Sequence, residues 1–556
     1  MEDEKKEVSV EEVSSAEAEA TVESKTIADA AAPKGSHVDE EGILEYDDSN
    51  ASAVDKFFGV TRYGSSMKVE IIGGIVTFLA MCYILTVNPN NILWTGTADI
   101  HWSSLFIATA VGAIIGTLLM ALVAKMPFAQ APGLGLNSTV GTLIGGGIGA
   151  YSAAYGKVEF SFGNAMLLVL ISGIIFLIVS IVPIGKEKET GKLITLREKI
   201  FDGMPVSIRK AISVGIGLFI AFIGLQNAKI IVDNPYTLVS FVQLNADGAW
   251  KLGGAACNAV VCLFGFILIA VLSHYKVKGA IIIGILGATL LAWPLKVTSF
   301  DYIKGDMPGI TWKFWENFER FFKSYEDGGV AFTAFTDGFD FPSGSAMTAV
   351  MVVITFCMID MFDTMGTVVG CATTAGLVDK EGKPHNYNKI MISDSVATVA
   401  GAALGTSTVT TFVESGSGIA AGAKTGLASL VTAVCFLLAI FLLPIFAFIP
   451  IAAAASALIY VGVLMMGNVK EIDFKNPLNA VPAFITILTM PLTYSITTGI
   501  GLGIITYVIL NCIAYVVGLL LYALGKTEEK PKWNISIVCL VVFALFLVYF
   551  LVPTSF

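Results

Sequence analysis

Charge is scarce in this chain. Asp, Glu, Lys and Arg make up 14% of its 556 residues, where ordinary soluble domains carry roughly 25%. That shortage argues against a water-soluble globular domain. Histidine is scarcer still, with four residues, and none of the eight cysteines stands in a CxxC pair. Cys82, Cys257, Cys262, Cys357, Cys371, Cys435, Cys512 and Cys539 all fall in or beside apolar segments. They read as buried small hydrophobes, not as a disulfide framework or a zinc site. No metal and no cofactor are expected. Enzyme signatures are missing too: there is no HExxH and no GxSxG. GIAAGAKTG lacks the GK[ST] of a phosphate loop and sits in an apolar segment. The chain therefore reads as not an enzyme, and an ion gradient is left as the source of drive.

The acidic balance is local. Residues 1–50 hold 16 Asp/Glu and 4 Lys, a net of −12, against −10 for the whole chain. About +2 is left for residues 51–556. The first 55 residues read as a disordered acidic cytoplasmic tail, with no basic n-region before an apolar stretch and so no signal peptide. Nothing in this balance points to a nucleic-acid partner.

What the sequence has in quantity is long apolar runs. Hydrophobic residues make up 55% and the mean hydropathy is +0.77. A helix needs about 20 residues to cross a hydrocarbon core, and continuous rather than alternating apolar runs indicate helices. Candidate spans are 71–93, 105–124, 128–147, 165–184, 211–225, 256–273 and 279–295. After a polar loop come 346–370, 390–405, 409–422, 427–448, 452–466, 478–494 and 499–524. The expected fold is an all-α polytopic membrane protein of fourteen segments. A further apolar run at 535–552 is either a fifteenth span or a peripheral helix. Basic residues fall mostly on the side that holds the N-terminus, whereas the loop 296–345 has eight acids and five bases. That places the N-terminus in the cytoplasm.

Seven plus seven is an odd-numbered repeat, so the two halves must lie inverted. CNAVVCLFGFILIAVLSHYKVKGAIIIGIL echoes LNAVPAFITILTMPLTYSITTGIGLGIITYVIL, with Asn258 to Gly279 matching Asn479 to Gly499. Segments 3 and 10 occupy equivalent places, and both are interrupted. Pro132, Gly133 and Gly135 stop a helix in FAQAPGLGLNSTVGTLIGGG. In GTSTVTTFVESGSGIAAGAKTG, Thr408, Val409 and Thr410 favour extended backbone, and Ser415, Gly416 and Gly418 permit a break. Interrupted segments at matching repeat positions point to a transporter's binding site.

Two carboxylates in this apolar setting carry the functional reading. A charge at the bilayer centre costs on the order of 2.5–3.5 kcal/mol on insertion scales, so Glu414 and Asp363 are expected to face a cavity. Glu414 lies near the start of a half-helix, where the dipole favours a negative charge. Its bland reading is a helix cap in a buried turn. Asp360 and Asp363 are one turn apart on roughly one face; Asp363 can instead be a structural acid bonded to Thr364 or Thr367, and Asp360 is balanced between packing and function. Asn137 either contacts substrate or pins the break. Phe412 is a packing residue or a stacking surface for a planar ring. Asp394 reads as a cap on a neighbouring helix.

IVTFLAMCYILTVNPNNIL, PFAQAPGLGLN, GIGLFIAFIGLQNA, DMFDTMGTVVG, GTSTVTTFVESGSGIAAGAKTGL and ALIYVGVLMM resemble, in the same order, the AzgA-like purine permeases of the nucleobase:cation symporter-2 group. The resemblance covers nearly all of residues 56–524. The related uracil permease has TTY-x-EN-x-G and E-H-x-G where this chain has TTFVESGSG and DTMGT. By that correspondence Glu414 and Asp363 stand for its two substrate-facing acids, and Phe412 for an aromatic on the base. The resemblance implies a core domain at 56–185 (segments 1–4) and 346–450 (segments 8–11). It implies a gate domain at 186–295 and 451–525, with an extracellular loop at 296–345 and an apolar tail segment at 526–556.

The expected function is uptake of a purine nucleobase (adenine, guanine or hypoxanthine) by proton symport across the plasma membrane, with sodium as the other possible ion. Expected substrate contacts are Glu414, Asp363, Asn137, Phe412 and Ser415; expected proton carriers are Asp363, Glu414 and Asp360. Besides substrate, proton and lipid bilayer, the resemblance implies a homodimer. The nearest alternative is another nucleobase (xanthine or uracil) or a small anion on the same fold. A channel or membrane-embedded enzyme is the distant one.

Overall fold

A computed structural model describes residues 37–38, 44–45, 51–93, 102–144, 160–186, 193–234, 236–245, 249–277, 279–305, 310–378, 384–526 and 530–551. Nearly all of the acidic tail at 1–55 lies outside the described residues. So do the end of the predicted third segment beyond Ile144 and the basic residues Lys188, Lys192, Lys278, Lys380 and Lys383.

Every predicted apolar stretch contains a helix. The first half holds α1 (Met67–Met81), α2 (Ile84–Ile92), α3 (Trp102–Leu119), a short strand β1 (Gln130–Pro132), α4 (Leu134–Ile144) and α5 (Phe162–Ile181). There follow α6 (Leu196–Gly203), α7 (Val206–Asn227), α8 (Ala255–His274) and α9 (Ala280–Ala292). The second half begins with α10 (Ala346–Ala375), α11 (Tyr387–Ala403), strand β2 (Val409–Thr411), the short α12 (Ser415–Ala420) and α13 (Gly426–Ile440). It ends with α14 (Ile451–Met466), α15 (Pro477–Leu492), α16 (Ile496–Ala523) and α17 (Ile537–Leu551). Among the described residues, eight helices are long and apolar enough to cross a membrane, and five shorter apolar helices accompany them. The chain is a multi-pass membrane protein.

Hydroxyl and amide caps set the helix starts. Ser66 accepts from Val69 N, Ser161 and Asn164 form a reciprocal capping box, and Ser495 accepts from Thr498 N. Helices pack as two sets. α1 and α3 lie on α13, α3 and α5 on α11, and α5 on α10. Separately, α7 lies on α14 and α15, α8 on α9 and α14, and α15 on α16. The echoing sequences thus form corresponding helical hairpins, α8–α9 and α15–α16. The tail segment α17 packs on α16, α10 and α6. The aromatic helix Phe314–Phe321 of the loop packs on α3, and Phe314 meets Phe441 edge-on at 5.1 Å; Trp315 and Phe322 stay exposed.

The two breaks meet. β1 and β2 pair antiparallel, with Gln130 opposite Thr411, Ala131 opposite Thr410 and Pro132 opposite Val409. Unwound backbone inside a membrane protein must find partners, and here each break supplies them to the other. Gly133 N donates to Thr408 O (2.9 Å), Phe412 N to Ala129 O (3.0 Å), and Ala129 N to Ser415 Oγ (3.0 Å). Thr117 on α3 closes the outer edge, bonding both N and O of Gln130 at 3.0 Å.

Candidate functional site

Glu414 ends the second break, immediately before α12. It is buried, and its Oε1 accepts from the Tyr83 hydroxyl at 2.6 Å. Tyr83 stands where α1 runs on into α2 through one tightened helical turn, with Leu85 N bonded to Cys82 O and Thr86 N to Tyr83 O. The approach of α1 to α12 needs small residues. A Cβ on Gly73 would lie 2.6 Å from the Ala423 Cβ and 3.1 Å from Gly418 O. Glu414 has no helix-capping bond from its side chain.

Asp363 lies on α10, half-buried and with no hydrogen-bond partner among the described residues. It is near enough to Glu414 for the two charges to interact. α10 packs on α12 and on β2, so Asp363 and Glu414 lie on neighbouring elements. A Cβ at Gly366 on α10 or at Gly416 on α12 would meet nothing within 4 Å. The bond from Asp363 to Thr364 or Thr367 that its bland reading required is not made: Thr364 bonds Asp394 and Thr410 instead.

The other expected contacts divide. Asn137, at the start of α4, is fully buried, and its Oδ1 accepts from Ser407 Oγ (3.0 Å) while Nδ2 has no partner. It bridges the two breaks and keeps a donor free. Ser415 accepts from Ala129 N, so its oxygen already has a structural bond. Phe412 is buried in the main apolar core. Asp360 is buried, and Thr398 Oγ1 of α11 donates to it at 3.0 Å.

Asp394 corrects the expectation of a helix cap. It is fully buried behind β1 and β2, accepting from Gln130 Nε2 (2.8 Å) and Thr364 Oγ1 (3.0 Å), with Arg197 Nη2 3.7 Å from its second oxygen. Tyr83, Gln130 and Arg197 are the polar residues that sequence reasoning passed over. Gln130 was within reach, since a polar side chain stands two residues before the Pro132-Gly133 interruption. Arg197 resembled any of the bases flanking the membrane. Among the described residues no group of three or more His, Cys, Asp and Glu side chains could hold a metal ion.

Comparison with known proteins gives the family and the fold. The Permease family model (Xan_ur_permease) matches residues 68–502. Guanine/hypoxanthine permease PbuG of Bacillus subtilis is 36% identical over 81% of this chain and 92% of its own length. Adenine permease AdeP of Escherichia coli is 32% identical over 83% of this chain and 91% of its own. Among solved structures, the transmembrane domain of the cyanobacterial bicarbonate transporter BicA aligns with a TM-score of 0.50 at 14% identity, covering 78% of this chain and 97% of that one. At that identity the likeness concerns the fold alone.

Proposed function

The chain belongs to the Permease family, and we propose from this that it is a secondary transporter importing purine nucleobases by proton symport across the plasma membrane. The observation that carries the reading is the paired break, with the buried acid Glu414 following its second strand and Asp363 on α10, which packs against that strand. Adenine, guanine and hypoxanthine are planar and each carries N–H donors on its rim, which in guanine include the adjacent N1–H and N2–H. Glu414 has one oxygen occupied by Tyr83 and the other for a substrate N–H. A charge-assisted bond of that kind is about twice as strong as a neutral one. Asn137 Nδ2 is a further donor for a ring nitrogen or carbonyl. Asp363, half-buried and without a hydrogen-bond partner among the described residues, is the proton carrier in this reading.

The larger architecture belongs to the same proposal. Fourteen segments cross as two inverted sets of seven, with the N-terminus cytoplasmic. Residues 56–185 and 346–450 form a core that carries the substrate. Residues 186–295 and 451–525 form a gate against which it moves, and two copies associate as a homodimer. α1, α3, α5, α10, α11 and α13 pack chiefly on one another, as do α7, α8, α9, α14, α15 and α16, which supports this division.

Uptake of labelled purines by cells stripped of their own permeases tests the reading, with and without a protonophore and with unlabelled bases as competitors. Uptake that is sensitive to the protonophore, competed by purines and lost in Glu414→Gln is expected. Uptake competed only by uracil or an anion, or indifferent to both the gradient and Glu414, rejects it.

A further inference from the structure

A buried arginine enters the first helical set from outside it. Arg197 belongs to α6, in the connection between α5 and α7, yet its side chain is fully buried. Its guanidinium stacks on Phe176 of α5 at 3.8 Å, and Nη1 donates to Ser180 Oγ and to Met391 O of α11, both at 3.3 Å. Nη2 sits 3.7 Å from Asp394 Oδ2, and both side chains are 0% exposed. A guanidinium this deep is retained only where it is paired, because removing one member of a buried pair leaves an uncompensated charge.

Local structure aims it. Thr195 and Glu198 form a reciprocal box at the start of α6: Thr195 N donates to Glu198 Oε2 (2.7 Å) and Glu198 N to Thr195 Oγ1 (3.4 Å). The strand Leu193–Thr195 pairs with Pro183–Lys186, and Leu196 N bonds Val182 O (3.0 Å). Arg197 therefore sits in a first turn clamped to the end of α5.

Its partner reaches the site. Asp394 Oδ1 accepts from Gln130 of β1 and from Thr364, the residue after Asp363, while Thr364 also bonds Thr410 of β2 at 2.6 Å. Asp360 lies within electrostatic range of both Arg197 and Asp394. One positive charge thus faces two acids behind the paired strands.

We infer that Arg197 is a positioning residue for transport. It fixes Asp394, and Asp394 fixes Gln130 and Thr364, so that the connection between the two helical sets sets the geometry of both breaks and the bearing of Asp363. Arg197 does not itself touch substrate. This rests on the purine-transport reading only for its readout.

The test is a cycle of Arg197→Gln, Asp394→Asn and the double variant, with Arg197→Lys as a charge-keeping variant expected to fold. All are read by purine uptake normalised to surface protein and by melting of the purified full-length chain. Each neutralisation should cut maximal uptake at least about tenfold, as loss of one partner of a buried pair does, with KM within about threefold because the change is not in substrate contact. Arg197→Lys should fail similarly, lacking the planar fork. The double variant should exceed either single variant in uptake and melting temperature. Normal uptake in Arg197→Gln, a KM that rises with the loss, or a double variant no better than the singles overturns the inference. Absence of purine uptake in the wild type rejects the transport reading alone, and the melting cycle still decides whether Arg197 and Asp394 are coupled.

Discussion

Tyr83 and Glu414 share one short bond, and they do different work in it. In the proposed reading the phenol holds the carboxylate in place and the carboxylate meets the purine. Tyr83→Phe should therefore weaken purine uptake without abolishing it. A hydrogen bond to a charged group is worth about 1.5–3 kcal/mol, so KM should rise on the order of tenfold or more, measured by initial rates of labelled purine entry. Asp363→Asn separates coupling from binding. The amide keeps the shape and removes the titratable group, so accumulation against a gradient should vanish while exchange of internal for external purine persists. Counterflow in vesicles measures both. If exchange disappears together with accumulation, Asp363 is a binding residue rather than a carrier of protons.

The paired breaks set the next test. Gly116 on α3 backs them directly: a Cβ there would lie 2.8 Å from both Gln130 Oε1 and Val409 Cγ1. Gly116→Val should press on both strands at once, costing about 1–3 kcal/mol by overpacking. Lost uptake and a melting temperature lowered by a few degrees are expected. Gly366→Ala, which meets open space, should keep both. The strands themselves were legible in the sequence, because Pro132 and Gly133 forbid a helix and Thr408–Thr410 favour extension. So was Glu414, as a lone charge in an apolar run. The partners behind them were not. Gln130, Thr364 and Asp394 are brought together from positions up to 264 residues apart, and a pairing at that distance leaves no local periodicity to read. Arg197 was hidden differently: a base in a loop satisfies the orientation rule for membrane proteins whether it faces water or is swallowed by the fold. Only the T-x-x-E box around it hinted at a fixed geometry.

Across the whole molecule, the question is whether the two helical sets move against each other. Gly135 on α4 lies at their contact, where a Cβ would be 3.1 Å from Ile216 Cγ2 on α7 and 3.2 Å from Ile496 Cδ1 on α16. Gly135→Ile should wedge this seam. Maximal uptake should fall severalfold or more, while purine binding to the purified protein, followed as a ligand-induced rise in melting temperature, persists. Loss of binding in proportion would place Gly135 in the site instead. The antiparallel pairing of Gln130–Pro132 with Val409–Thr411 also bears on how the protein is made. Its first strand leaves the ribosome some 281 residues ahead of the second, an interval of roughly 15–60 s at ordinary synthesis rates. Throughout that time the early half must keep an unsatisfied strip of backbone away from lipid tails, which only water, the insertion machinery or a chaperone can do.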